Sequence, residues 1–276
     1  MRWVKVKWGS VTGIVVLVIL TYLPLVFVLS NSFKSGAQFA AHPFAILLTL
    51  HLQNYVAAWH GIDRYLANTV VVAGGSIILG LPVAAISAYA FAKTRFFGKE
   101  LIFYAYIGLL MIPWTLTLIP LFVEINKFGL YGSWLGLILP YAAGCQPLNV
   151  FLFRTFFEEI PDELYQSARI DGCSEWQILI RIVTPLSIPV FVTSTLLLCI
   201  SIWGDYLWPT IVLSSNYHLY TVSAGFEMFV ESFGITGRGI GPEFAAEVLT
   251  MVPIVIIVSA GMKYFVRGVT SGALKA

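Results

Sequence analysis

The tightest constraint on this chain is the uncharged run from Trp8 to Phe33. A helix needs about 20 predominantly apolar residues to cross the hydrocarbon core of a bilayer, and this stretch exceeds that. Arg2, Lys5 and Lys7 precede it. A basic start and an apolar run also describe a secretory signal, but a signal core holds only about 7–15 apolar residues, so an uncleaved anchor is expected. Comparable runs recur, and the sequence predicts helices at about residues 11–32, 66–92, 101–122, 134–154, 188–212 and 244–266. With 58% hydrophobic and 11% charged residues, against about 25% charged in soluble domains, the fold class is all-α. The expected architecture is a polytopic membrane protein with six transmembrane helices.

Six spans place both termini on one side, and the basic residues say which. Arg2, Lys5, Lys7, Lys93, Arg95, Lys99, Arg154, Arg169, Arg181, Lys263, Arg267 and Lys275 fall at that side, while Lys34, Arg64, Lys127 and Arg238 fall at the other. Cytoplasmic loops carry the excess of Lys and Arg. Both termini and a loop at 156–187 are therefore expected in the cytoplasm, within one transmembrane domain, 1–276, whose core runs from about 66 to 266.

Several functions are disfavoured. A net charge of +2 suggests no nucleic-acid partner. Cys145, Cys173 and Cys199 are odd in number and widely spaced, which argues against a disulfide framework or metal site. His42, His51, His60 and His218 lack zinc-ligand spacing. No Gly-x-x-x-x-Gly-Lys-Ser/Thr phosphate loop is present, and no nucleophile stands beside a base at a familiar spacing. The chain is expected to hold no metal or cofactor and to be no enzyme.

The predicted second span is rich in small residues, among them Gly74, Gly75, Gly80, Ala84, Ala85 and Ala88, which let helix backbones approach closely in lipid. Pro113, Pro120, Pro140 and Pro147 interrupt the third and fourth, where a missing N–H kinks a helix. Six carboxylates fall between Glu158 and Glu175. Pro161 suits a first helical position, and Asp162 and Glu163 favour the positive end of the helix dipole. Leu164, Tyr165 and Ala168 are expected on one face. Gly172 reads as a left-handed C-cap, Ser174 with Gln177 as a capping box that restarts a helix, and Pro185 and Pro189 as breakers.

This stretch, Gln166-Ser167-Ala168-Arg169-Ile170-Asp171-Gly172 with its trailing prolines, resembles the EAA loop, Glu-Ala-Ala-x-x-x-Gly, of permease subunits of ABC importers. Here Gln166 replaces the leading Glu and Ser167 the first Ala. Leu66-Ala-Asn-Thr69, Ala88-Tyr-Ala-Phe-Ala92, Met111-Ile-Pro113, Leu118-Ile-Pro120, Ile138-Leu-Pro140, Tyr220-Thr221 and Trp203 to Pro209 are similar to landmarks of the smaller, maltose-type permease of carbohydrate importers. The resemblance implies a type I importer permease fold in a prokaryotic cell membrane and a sugar or oligosaccharide as substrate. It also implies as partners a second homologous permease subunit, two ATPase subunits that bind ATP and Mg, and an extracytoplasmic solute-binding protein, with membrane lipid around them. Glu163, Gln166, Ser167, Ala168, Asp171, Gly172 and Trp176 then couple to the ATPase.

Trp203, Asp205, Tyr206 and Trp208 are candidates for the substrate path, since aromatic faces stack on sugars and a carboxylate within a span usually faces water or a partner. Their alternative is an interfacial aromatic belt. By the same resemblance, Gly234, Gly237, Gly239 and Gly241 stand where relatives contact the binding protein. Gly272 and Lys275 stand in a tail that reaches towards the ATPases. The competing readings are an importer for another solute such as a glycerol-phosphate or peptide, an ion-coupled secondary carrier, and a membrane scaffold. A carrier needs ionisable residues within its spans and commonly shows inverted repeats; the central spans hold no central charge pair, and no repeat is evident.

Overall fold

The computed structural model describes residues 8–46, 49–236 and 239–273. Among them every regular element is helical. In chain order these are α1 (Trp8–Ser32), α2 (Gly36–Ala41), α3 (Gln53–Lys93), α4 (Lys99–Gly108, extended by a 3₁₀ turn to Met111), α5 (Trp114–Lys127), α6 (Leu135–Gly144) and α7 (Gln146–Glu159). There follow α8 (Asp162–Ile170), α9 (Glu175–Ile178), a π turn at Leu179–Val183, α10 (Thr184–Leu186), α11 (Ile188–Gly204), α12 (Leu207–Val212), α13 (Val222–Thr236) and α14 (Gly241–Ala273).

Three helices, α1, α3 and α14, are each long and apolar enough to cross a membrane; three bent pairs bring the number to six if each is one span. The bends sit where the backbone lacks donors. α4 and its 3₁₀ turn meet α5 at 98°, with Pro113 as the N-cap of α5. α6 and α7 meet at 43°, just before Pro147. The run from Glu175 to Leu186 meets α11 at 78°, between Pro185 and Pro189. Proline removes a helical hydrogen bond and clashes with the preceding turn, so these are the places where the helices yield.

Two expectations are corrected. The second helix is longer than predicted, beginning at Gln53. Between the predicted fifth and sixth spans, where no helix is expected, lies the 15-residue helix α13.

The chain divides into two compact units. In the first, Met1–Asp63 with Phe226–Val252, Phe244 meets Phe27 edge-on at 5.8 Å and Phe39 at 5.5 Å. Lys34 is fully buried, its ammonium donating to the carbonyls of His42 and Pro43 at 3.0 Å.

The second unit is Arg64–Gly225 with Pro253–Ala276. Its core gathers Phe153, Phe157, Tyr89, Tyr165, Ile178 and Val183. The small residues of α3 serve close approach. A Cβ on Gly80 would lie 2.9 Å from Cys145 Sγ and 3.3 Å from the Ala142 backbone, and the Gly80 carbonyl accepts from Gln146 Nε2 at 2.9 Å. Asn68 Nδ2 donates to the carbonyls of His218 and Tyr220 at 2.8 and 2.9 Å, and Val222 N donates to Thr69 Oγ1 at 2.7 Å. Two landmarks about 150 residues apart in sequence are thus stitched together.

Candidate functional site: a capped helix and a cavity between helices

The segment from Pro161 to Pro185 is rigid for local reasons. At the end of α8, Cys173 N donates to Ala168 O at 2.9 Å and Gly172 N to Arg169 O at 3.1 Å. This is a Schellman pattern, and Gly172 supplies its left-handed residue at φ +81°. α9 restarts at once: Ser174 Oγ accepts from Gln177 N while Gln177 Oε1 accepts from Ser174 N, a reciprocal capping box.

Side chains fasten this segment to α3. Lys93 Nζ reaches Asp162 Oδ1 at 2.7 Å and Ile160 O at 3.1 Å, and lies 4.2 Å from the centre of the Tyr165 ring. The Tyr89 hydroxyl donates to Glu175. Arg169 forks onto the same carboxylate, Nε to Oε1 at 2.8 Å. Lys93 holds the Asp162 carboxyl below its ordinary range, and Glu175 holds the Arg169 guanidinium above its own. Burial pushes the Tyr165 hydroxyl up.

Tyr165 and Ala168 are buried, so Ala168 supports the helix from beneath. Leu164, expected beside them, is exposed, as are Ile170 at 85% and Trp176. Glu163, Gln166, Ser167 and Asp171 are exposed too. The outer face of α8 thus mixes apolar and polar side chains on a helix that its own caps hold in place.

A second feature lies between α4, α5, α6, α7 and α11: a cavity of about 430 Å³ lined by Trp114, Tyr141, Asn149, Ser201 and Asp205 among apolar side chains. Asp205 stands at the break between α11 and α12. Its Oδ1 accepts from Leu207 N and Trp208 N at 3.0 and 3.2 Å, and its Oδ2 from the Tyr141 hydroxyl at 2.8 Å. Asn149 is 3% exposed and its Oδ1 has no partner among the described residues.

Of the four predicted path residues, Asp205 alone lines this cavity. Trp208 is fully buried, its indole N–H donating to Gly136 O at 3.2 Å and its ring edge-on to Trp114 at 6.1 Å. It is a packing residue. Tyr206 is half exposed, and the Trp203 carbonyl accepts from the Ser223 hydroxyl. Sequence reasoning missed Tyr141, Asn149 and Trp114.

Residues 77–271 match the family described as binding-protein-dependent transport system inner membrane component. The chain belongs to this family. The match takes in both α8 and the cavity. A probable ABC transporter permease of Bacillus subtilis, YurM, is 32% identical, across 91% of this chain and 83% of that protein. The arabinooligosaccharides transport system permease AraQ of Halalkalibacterium halodurans is 29% identical, across 98% and 96%. One chain of a bacterial ABC transporter involved in the import of alginate superposes with a TM-score of 0.80 at 23% identity, covering 96% of this chain and 99% of its own. The fold of this inner membrane component is therefore that of a type I ABC importer permease, and its role is that of a transport subunit rather than an enzyme.

The remaining candidates in the inner membrane component are less informative. Gly239 adopts φ +89°. Gly241 is a packing glycine, since a Cβ there would lie 2.4 Å from Lys34 O. Gly234 falls near the end of α13, and Gly272 near the end of α14. Gly237 and Lys275 lie outside the described residues.

Proposed function

We propose that this inner membrane component forms half of the translocation pathway of an ATP-driven, binding-protein-dependent importer for a sugar or oligosaccharide. The observation that carries the reading is α8. It is a short helix capped at its C-terminus and tied to α3 through Lys93, it presents Leu164 and Ile170 to the outside, and the adjoining α9 is tied to α3 through Tyr89 and exposes Trp176. Exposed apolar side chains on so firmly held a helix suit a groove on another protein. A separate ATPase pair, binding ATP and Mg, docks there, and Glu163, Gln166, Ser167 and Asp171 supply the polar rim. Six spans with both termini in the cytoplasm put α8 within reach of that pair.

Closure of the ATPases on ATP pushes α8, and the ties to α3 and α9 carry the push to the bends at Pro113 and Ser187. Such a push shifts access only if ATP favours one state over the other. A second permease subunit completes the pathway, and an external binding protein delivers the solute. Asp205, Tyr141 and Asn149 face the cavity that belongs to this pathway. The carbohydrate assignment rests on relatives such as AraQ.

The test is Gly172→Pro, since proline cannot take φ +81°. The variant should still insert in the membrane, while ATP-dependent uptake in proteoliposomes is lost or the ATPase subunits no longer co-purify. Wild-type uptake and assembly in this variant would overturn the coupling role. Uptake that persists without ATP would favour an ion-coupled carrier. Titrating sugars, glycerol-phosphate and peptides against the partner binding protein decides the solute class.

A further inference from the structure

Beneath α8 lies a second cavity, of about 500 Å³, whose lining differs in kind from that around Asp205. Lys93, Arg95, Lys99 and Arg169 face it together with Gln166 and a lone carboxylate, Asp162. Two of the four cations are committed: Lys93 to Asp162, and Arg169 to Glu175 outside the cavity. The other two are not. Lys99 Nζ has the Thr94 carbonyl at 3.3 Å, and Arg95 is exposed with no ion-pair partner among the described residues. The lining therefore keeps an excess positive charge.

The chain leaves this cavity at Lys99 and enters α4, where the character of the surface changes at once. Phe97, in the turn just before α4, is fully exposed; on α4 Leu101 is 76% and Tyr104 69% exposed, and Leu109 to Ile112 continue the apolar surface. Such a face belongs against hydrocarbon, so the water boundary falls near Lys99. A basic cavity at that boundary, opening onto an aromatic and aliphatic face, matches an amphiphile with an anionic head and acyl chains. We propose that the cavity holds the phosphate of an anionic phospholipid, gripped by Arg95 and Lys99 with Gln166 of α8 beside it. The bound headgroup then joins the turn between α3 and α4 to the underside of α8. This inference requires only that α4 meets lipid, and it stands whether or not α8 docks on an ATPase.

The experiment is native mass spectrometry of the full chain, alone and in its purified assembly, exchanged from micelles containing phosphatidylcholine and phosphatidylglycerol. The wild type should retain phosphatidylglycerol preferentially. Each lost surface cation should weaken retention about fivefold, and Arg95→Gln with Lys99→Gln about thirtyfold. Lys127→Gln, remote in sequence and paired with Glu124, should leave retention unchanged. If the double variant fails to fold, the two single variants carry the test.

Equal retention of both lipids, or an unaltered preference in the Arg95 and Lys99 variants, would overturn the proposal. Displacement of the lipid by soluble glycerol phosphate at matched concentration would make the site one for a free phosphate. A preference present in the isolated chain and absent in the assembly would give the cavity to an acidic side chain of a partner protein.

Discussion

Tyr89 and Tyr141 each donate a phenolic hydrogen to a carboxylate at a helix break, Glu175 in one case and Asp205 in the other. The two clamps are built from the same parts and are finished differently. Glu175 is about half exposed and is shared with the Arg169 guanidinium, itself 45% exposed. Asp205 has no ion-pair partner among the described residues; its remaining lone pairs take the first N–H groups of α12. Both tyrosine–carboxylate bonds are part-buried, while the Arg169 ion pair of the first clamp is exposed. The comparison teaches that the α8 segment draws its rigidity from backbone caps, with the ion pair steering it. At the α11–α12 break the carboxylate is itself the fastening.

That difference can be broken by mutation. Asp205→Ala leaves two backbone donors and a buried tyrosine hydroxyl without their acceptor. Hydrogen bonds to a charged group contribute a net of about 1.5–3 kcal/mol each, and because water takes over part of what the half-buried site loses, a loss of about 3 kcal/mol is expected in denaturant unfolding of the detergent-solubilised protein. A loss under 1 kcal/mol would mean that the break holds without Asp205. Next in size is Gly172→Ala. A left-handed non-glycine residue costs about 1–2 kcal/mol, and a Cβ at Gly172 meets nothing within 4 Å. The cost is therefore conformational alone and should appear as a lowered unfolding midpoint. Glu175→Ala should cost less, about 1 kcal/mol or under, because exposed ion pairs contribute little. A larger loss would show that this clamp is sealed from water.

The smallest effect concerns Asp162, whose carboxyl Lys93 holds below its ordinary range. A group depressed in the folded state stabilises above its unfolded pKa, about 3.9, and loses that contribution as pH falls through its folded value. The difference in unfolding midpoint between the protein and Asp162→Asn should thus be constant from about pH 7 to pH 5 and shrink below about pH 4. A difference that changed near neutrality would point to another titrating group.

What the sequence makes legible follows from range. Gly172, Ser174 with Gln177, and Pro185 with Pro189 act within a few residues of themselves, and the turn, restart and bend lie where those residues stand. α13 escaped because Val222–Thr236 sits between a polar stretch and a glycine-rich one, with Glu227 and Glu231 interrupting its apolar run. The cavity was half legible. Asp205 stands out as a carboxylate in an apolar span, whereas its partner Tyr141 is 64 residues away. Asn149 is one amide among many until packing buries it. Trp208 looks like an interfacial aromatic, and only the approach of Gly136 makes it a core residue. The signal that could have found Tyr141 is the general need of a carboxylate within an apolar stretch for donors.

One helix sets a scale for all of this. With 41 residues, at about 1.5 Å per residue, α3 measures about 60 Å along its axis, twice the roughly 30 Å of bilayer hydrocarbon. No tilt seen in ordinary spans hides so long a rod. The excess over the hydrocarbon thickness lies in headgroups or water, and the charged pair Asp63 and Arg64 marks one end of the apolar run. Lys93 marks the other exit. Charged residues at both ends of its apolar run leave the surrounding lipid little freedom to slide along α3.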